Sequence, residues 1–166
     1  SMHNRPGGED YYWIRETDVA RCQALLEEYL NSLWTLAQTD YLDSLAHLTY
    51  PLRYLRYRNG VDCSMKPFED LIQEILKTLA ERGKALELNT SGWRQGMGAP
   101  LPEKRYLQMF RELGGELVTI GTDAHVPEHM GDNLERGLML LRQCGYQYIT
   151  RFQNRKPECI PLEDLL

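Results

Sequence analysis

The chain is sparing with the residues from which common sites are built. It has 4 histidines, 4 cysteines and 3 phenylalanines in 166 residues. Cys22, Cys63, Cys144 and Cys159 include no Cys-x-x-Cys pair, and their spacings match no zinc-finger pattern. That excludes a cysteine-built zinc module and leads us to expect reduced thiols in a cytoplasmic protein. No apolar run approaches the roughly 18 residues needed to span a bilayer, and no signal-peptide pattern opens the chain. Basic residues are not in excess: 19 Lys and Arg stand against 24 Asp and Glu, a net charge of −5. A general nucleic-acid binder carries a basic footprint, so that class is disfavoured. A local basic pocket for a phosphorylated small molecule remains open. No repeat of 20–50 residues is visible.

What is present suits one domain with a real core: 42% hydrophobic and 26% charged residues. Asp18 or Thr17 can cap a helix whose apolar stripe runs through Cys22, Leu25, Leu26, Tyr29, Leu30, Leu33 and Trp34 to about Gln38. Residues 40–46 read as a short strand ending at His47. The Arg/Tyr-rich stretch 48–60, broken by Pro51, reads as a functional loop with at most one helical turn. Pro67 opens a helix with Phe68, Leu71, Ile72, Ile75, Leu76 and Leu79 inward, and Gly83 stops it. Residues 84–88 predict a strand and 116–120 another, with a helix through Leu107, Phe110 and Leu113 between them. A helix capped by Asp132 or Asn133 follows, then a last strand over 146–152 and a polar tail. Helix–strand alternation at this spacing predicts an α/β fold with a parallel sheet.

The organising stretch is Thr119-Ile120-Gly121-Thr122-Asp123-Ala124-His125. Val118 and Ile120 supply β-branched strand character, and Gly121 lets the backbone turn. Asp123 and His125 are two apart, so in extended chain both project to one side. An oxygen and a nitrogen donor there suit a divalent metal such as Zn, Mn or Fe. By itself the pair is equally well read as an ordinary strand-to-helix loop. His47 and Asn89 also lie just past predicted strand ends, the edge on which parallel α/β sites are built. Arg94, on the loop after Asn89, is placed to fork onto a phosphate, and Arg53, Arg56 and Arg58 could do the same. At least two of these four arginines are expected to be ordinary surface residues.

Three segments carry a family resemblance: Asp43-Ser44-Leu45-Ala46-His47-Leu48, Glu87-Leu88-Asn89-Thr90-Ser91-Gly92-Trp93-Arg94 and Gly121-Thr122-Asp123-Ala124-His125-Val126-Pro127. In this order they resemble the later motifs of the PHP (polymerase and histidinol phosphatase) superfamily, and most closely its histidinol-phosphatase branch. Thr122 stands where that branch usually has Ser. Ser1-Met2-His3-Asn4 resembles the family's Gly-Ser-Val-His segment. The resemblance implies a distorted seven-stranded β/α barrel with up to three divalent metals (Zn, Mn or Fe) at the strand C-termini. It implies metal ligation by His3, His47, Asp123 and His125, catalytic roles for Asp123 and His125, a substrate-phosphate contact from Arg94 and a site-lining place for Asn89; Arg53, from its place after His47, is expected to help Arg94 hold the substrate. The implied reaction is hydrolysis of L-histidinol phosphate to L-histidinol and phosphate, in histidine biosynthesis. Another phosphoesterase or nuclease of the superfamily, and a non-catalytic interaction module derived from it, are the alternatives.

The family also begins with a His-x-His pair, a further histidine and a glutamate, all upstream of the segment at which this chain starts. The expectation is therefore a single partial domain over 1–166: the C-terminal part of the barrel, parallel strands with outer helices, lacking the N-terminal strands. A complete β/α barrel runs to about 250 residues. Four strands cannot close one, and would leave an open sheet with unpaired edges and an apolar inner face. Three arrangements answer this: a piece of a larger enzyme, a separate polypeptide completing the barrel, or two copies covering each other. The isolated chain is expected to be weakly active or inactive.

Overall fold

The computed structural model describes residues 2–166; Ser1, the first residue of the opening segment, lies outside them. Asp18 accepts from the Arg21 N–H and caps helix α1 (Val19–Ala37), whose buried stripe is Cys22, Leu25, Leu26, Tyr29, Leu30 and Leu33. Strand β1 is only Ser44–Leu45. Helix α2 (Glu69–Glu81) follows a single 3-10 turn at Lys66–Phe68 that holds Pro67, and leads through Gly83 (φ 61°) into β2 (Ala85–Asn89). A four-residue helix α3 (Ser91–Arg94) precedes α4 (Lys104–Glu112) and β3 (Val118–Gly121). Helix α5 (Leu134–Gln143) has Asn133 at its cap position, in the left-handed region (φ 56°) and without a capping side-chain bond.

β1, β2 and β3 form a parallel sheet in that order, pairing Leu45 with Leu86, Leu86 with Val118, and Asn89 with Gly121. Alternation sorts the side chains. Leu45, Leu86, Leu88 and Val118 are buried with Ile72, Ile75, Leu76 and Leu79 of α2 and Tyr106, Leu107 and Phe110 of α4. Helix α5 approaches closely through Gly137, where a Cβ would lie 2.6 Å from Ile120 Cδ1.

The other face carries Ser44, Glu87, Asn89, Thr119 and Gly121. It is polar, which corrects the expected apolar inner face. Ser44 Oγ and Thr119 Oγ1 meet at 2.8 Å although β2 runs between their strands. In a flat sheet those strands would stand about 9.6 Å apart, so the sheet curves and this face is concave.

The C-terminal end differs from the sequence expectation. The fourth strand does not join the parallel sheet, and the tail is not irregular. β4 (Tyr148–Gln153) and β5 (Lys156–Pro161) form a separate antiparallel hairpin. Its turn residues Asn154 and Arg155 have φ 52° and 62°, the hairpin geometry that fits strand twist. Arg155 bonds the Asp43 carboxylate and the Asp40 carbonyl at 2.6–3.3 Å, tying the turn to the entry of β1. Pro157 does not prevent pairing, since an edge position tolerates a missing donor. Tyr11–Trp13 form a 3-10 turn with Tyr11 buried. No helix among the described residues is long and apolar enough to cross a membrane.

Candidate functional site

The carboxyl ends of β1, β2 and β3 lead into the segments that hold His47, Asn89 and Asp123. His47 follows β1 in the left-handed region (φ 34°) and is 6% exposed. Its backbone N–H donates to Glu87 Oε2 at 2.9 Å, and its carbonyl accepts from the Tyr29 hydroxyl. His3 reaches the same point from the N-terminal segment. There Gly7 and Gly8 (φ 104° and 99°) turn the chain, the Tyr11 N–H bonds the His3 carbonyl, and Arg5 forks onto Glu28 at 2.8 and 3.1 Å.

The Nε2 atoms of His3 and His47 lie 3.1 Å apart, and the His3 ring stacks on Tyr50 with centroids at 4.7 Å. Burial, with His3 and Arg53 nearby, lowers the His47 pKa to about 4. The ring is therefore neutral at pH 7, the form in which imidazole binds metal. His47 Nδ1 is buried with no hydrogen-bond partner among the described residues.

Stretch 48–60 contains a π-helix, Arg53–Arg58, an uncommon element that recurs at functional sites. It delivers Arg53 to the site with its side chain 11% exposed. Arg53 Nη1 bonds Asp123 Oδ2 at 3.2 Å and Nη2 bonds Ser91 Oγ at 2.7 Å. Arg56 and Arg58 are exposed, as expected for two of the four arginines. Arg58 donates to the carbonyls of Tyr12 and Ile14, each at 2.6 Å. Arg94 is engaged with its own surroundings: Nη1 bonds Asp132 Oδ2 at 3.1 Å, and Nη2 donates to the carbonyls of Thr122 (3.0 Å) and Asp123 (3.1 Å).

Asn89 is 2% exposed and accepts from the Ser91 N–H and hydroxyl at 3.1 and 2.5 Å. The strand-end turn is made at Asp123, which has φ 51°; Gly121 is not in the left-handed region. Gly121 is needed for space instead, because a Cβ there would lie 2.5 Å from Glu87 Oε1. The turn also breaks the expected extended geometry. His125 is 80% exposed, with Nδ1 2.9 Å from the Asp123 carbonyl and 3.8 Å from Asp123 Oδ1, so the two side chains stay neighbours while the His125 ring faces outward. A carbonyl only accepts, so that contact puts a proton on Nδ1, and in the neutral ring Nε2 then carries the lone pair.

Of the residues expected to bind metal, His3 and His47 are brought together, Asp123 is paired with Arg53, and His125 turns outward. Among the described residues no group of three or more His, Cys, Asp or Glu side chains is arranged to hold a metal ion. The histidine pair still fits part of a site: two Zn–N bonds of about 2.0–2.1 Å at a tetrahedral angle span about 3.4 Å, close to the observed 3.1 Å. Glu87 was not singled out from the sequence. Burial raises its pKa, and bonds from Asn89 and His47 oppose the rise. The available signal was a lone acidic residue inside the otherwise apolar run Ala85-Leu86-Glu87-Leu88.

No family model matches the chain. It is 33% identical over 148 residues to a "Probable histidinol-phosphatase" of Thermotoga maritima, covering 87% of this chain and 60% of that protein. It is 30% identical over 148 residues to the "Histidinol-phosphatase" of Lactococcus lactis, covering 52% of that protein. The crystal structure of histidinol phosphate phosphatase from Lactococcus lactis, complexed with zinc, L-histidinol and phosphate, superposes with a TM-score of 0.72 at 26% identity. The match covers 93% of this chain and 56% of that one. The chain thus spans a little over half the length of the relatives it matches, and over that span resembles histidinol-phosphatases in sequence and fold.

Proposed function

We propose that this chain is the C-terminal part of a PHP-type barrel in a phosphoric monoester hydrolase that converts L-histidinol phosphate to L-histidinol and phosphate. The observation that carries the reading is the meeting of His3 Nε2 and His47 Nε2 at 3.1 Å, beside the Arg53–Asp123 pair, on the carboxyl edge of a parallel sheet. The sequence similarity and the fold match to a protein holding zinc, L-histidinol and phosphate support it.

In this reading His3 and His47 are one corner of a divalent-metal site. Asp123 and His125 belong to the same site and join it when the rest of the barrel, or a second copy, covers the concave face. When bound, divalent metals supply Lewis acidity and lower the pKa of water. Arg53 orients the phosphate, since its guanidinium stands at the site against Asp123 and Ser91. Arg94 acts mainly by holding the Thr122–Asp123 backbone, and Asn89 lines the site while fixing Ser91. His125, exposed at the rim, has two alternative roles: neutral, it holds metal through Nε2; protonated and off the metal, it delivers a proton to the leaving alkoxide.

The test is phosphate release from L-histidinol phosphate with Zn, Mn or Fe, by the chain alone and joined to a complementary barrel part. The expected result is turnover in the completed protein, little in the isolated chain, and a loss of at least two orders of magnitude in Asp123→Ala. No release in the completed protein under any metal would overturn the reading, and full turnover by Asp123→Ala would remove that residue's role.

A further inference from the structure

We infer that Glu87 is a positioning residue: its carboxylate ends one hydrogen-bond network that holds the His47 wall and the Asp123 wall of the site in mutual register. This rests on the functional reading above only in what the site binds; the network itself is geometry. Starting from His47, the backbone N–H donates to Glu87 Oε2 at 2.9 Å, and Asn89 Nδ2 donates to the same oxygen at 3.2 Å. Asn89 Oδ1 accepts from Ser91 Oγ at 2.5 Å, Ser91 Oγ accepts from Arg53 Nη2 at 2.7 Å, and Arg53 Nη1 donates to Asp123 Oδ2 at 3.2 Å.

The polarity of this path is settled by its members. Guanidinium only donates and carboxylate only accepts. The Asn89 amide must turn its NH2 to Glu87 and its oxygen to Ser91, because the Ser91 N–H also points at that oxygen at 3.1 Å. A flipped amide would set acceptor against acceptor at one end and donor against donor at the other. Every link from His47 to Asp123 therefore has one orientation, and such networks polarise their members cooperatively.

Two further features need Glu87. His47 is a non-glycine residue in the left-handed region (φ 34°), a conformation that persists when its surroundings over-determine it. The charge-assisted bond from its N–H to Glu87 does so. The other carboxylate oxygen fills the space beside Gly121 that a Cβ would need, so the same side chain also abuts the strand leading to Asp123.

The test uses Glu87→Gln, which keeps shape and an acceptor but removes the charge, and Ser91→Ala, which touches neither His47 nor Asp123. Two readouts are taken on the chain: Zn affinity by competition with a chromogenic chelator, and the histidine ring 15N–1H signals in the metal-free state. Circular dichroism confirms folding. The expected result is about tenfold weaker Zn binding in each variant, in the range typical of groups that orient ligands. His47 ring signals should move in Ser91→Ala, and the double variant should lose less than the sum of the two. If both variants fold but leave Zn affinity and the His47 signals unchanged, the inference is overturned. If Glu87→Gln fails to fold, Ser91→Ala decides alone. If wild type binds no Zn, the metal reading fails, while the metal-free ring signals still judge the network.

Discussion

Glu87 and Gly121 compete for one small volume: a Cβ on Gly121 would lie 2.5 Å from Glu87 Oε1. The pair lies diagonally across β2 and β3: Gly121 pairs with Asn89 at the strand ends, and Glu87 pairs with Thr119 two residues back. Gly121→Ala should push the carboxylate away from the His47 N–H and destabilise the fold by about 1–3 kcal/mol, the usual cost of overpacking. Urea unfolding measures it. A midpoint equal to wild type would show that Glu87 yields freely and that the glycine serves another purpose.

Arg53 and Arg94 should separate cleanly. Arg53→Lys keeps a charge but loses the fork to Asp123 and Ser91. Catalytic efficiency on a phosphate monoester should fall at least about tenfold, since hydrogen bonds to charged groups are worth about 1.5–3 kcal/mol. Arg94→Ala instead leaves the Thr122 and Asp123 carbonyls without their donor. Its main effect should be on stability, about 1–3 kcal/mol, read by thermal melting. A large effect of Arg94→Ala on KM at unchanged stability would return the phosphate contact to Arg94.

His3→Ala and His47→Ala should each remove most Zn affinity, because each takes away one of the two imidazoles that meet at 3.1 Å. For the intact protein, Zn at 100 times its dissociation constant stabilises by about 2.7 kcal/mol. Adding a chelator should therefore lower the melting temperature of wild type and leave both variants unmoved. Equal chelator shifts in all three would place the ion elsewhere.

Leu88→Ala probes the apolar face. Leu88 is fully buried and faces Gly137 of α5, whose built Cβ would lie 3.2 Å from Leu88 Cδ2. The expected loss is about 2–5 kcal/mol, transfer and cavity together, by urea unfolding. A loss below about 1 kcal/mol would mean that α5 collapses onto the gap.

Helices α1, α2, α4 and α5 and the existence of three parallel strands were legible because their signals are local; α3 was read as loop, and β1 is shorter than the expected 40–46. A 3.6-residue apolar stripe in α1 and α2, caps such as Asp18, and apolar runs closed by Gly83 or Gly114-Gly115 report on neighbours along the chain. β5 was not legible: Lys156, Pro157 and Glu158 read as tail, and the strand exists because β4 offers an edge. The π-helix was equally hidden. Nothing in Arg53-Tyr54-Leu55-Arg56-Tyr57-Arg58 marks it, and it is held in place by contacts such as those of Arg58 and Asn59 with residues 12–16.

For the site, sequence by itself determined which residues could carry chemistry and on which edge of the sheet they fall, because strand ends and residue types are properties of short segments. Tertiary structure decided which of them meet. His3 and His47, 44 residues apart, meet Nε2 to Nε2, whereas Asp123 and His125, two apart, do not share one extended face: the chain turns at Asp123, whose carboxylate pairs with Arg53 while the His125 ring is left exposed. Alternation along the strands put Ser44, Glu87 and Thr119 on one face, but only the curvature of the sheet made that face concave and brought Ser44 and Thr119 together, and only packing showed that a half-buried glutamate joins the two walls. Distances across a fold depend on every element between the residues, and no local pattern encodes them.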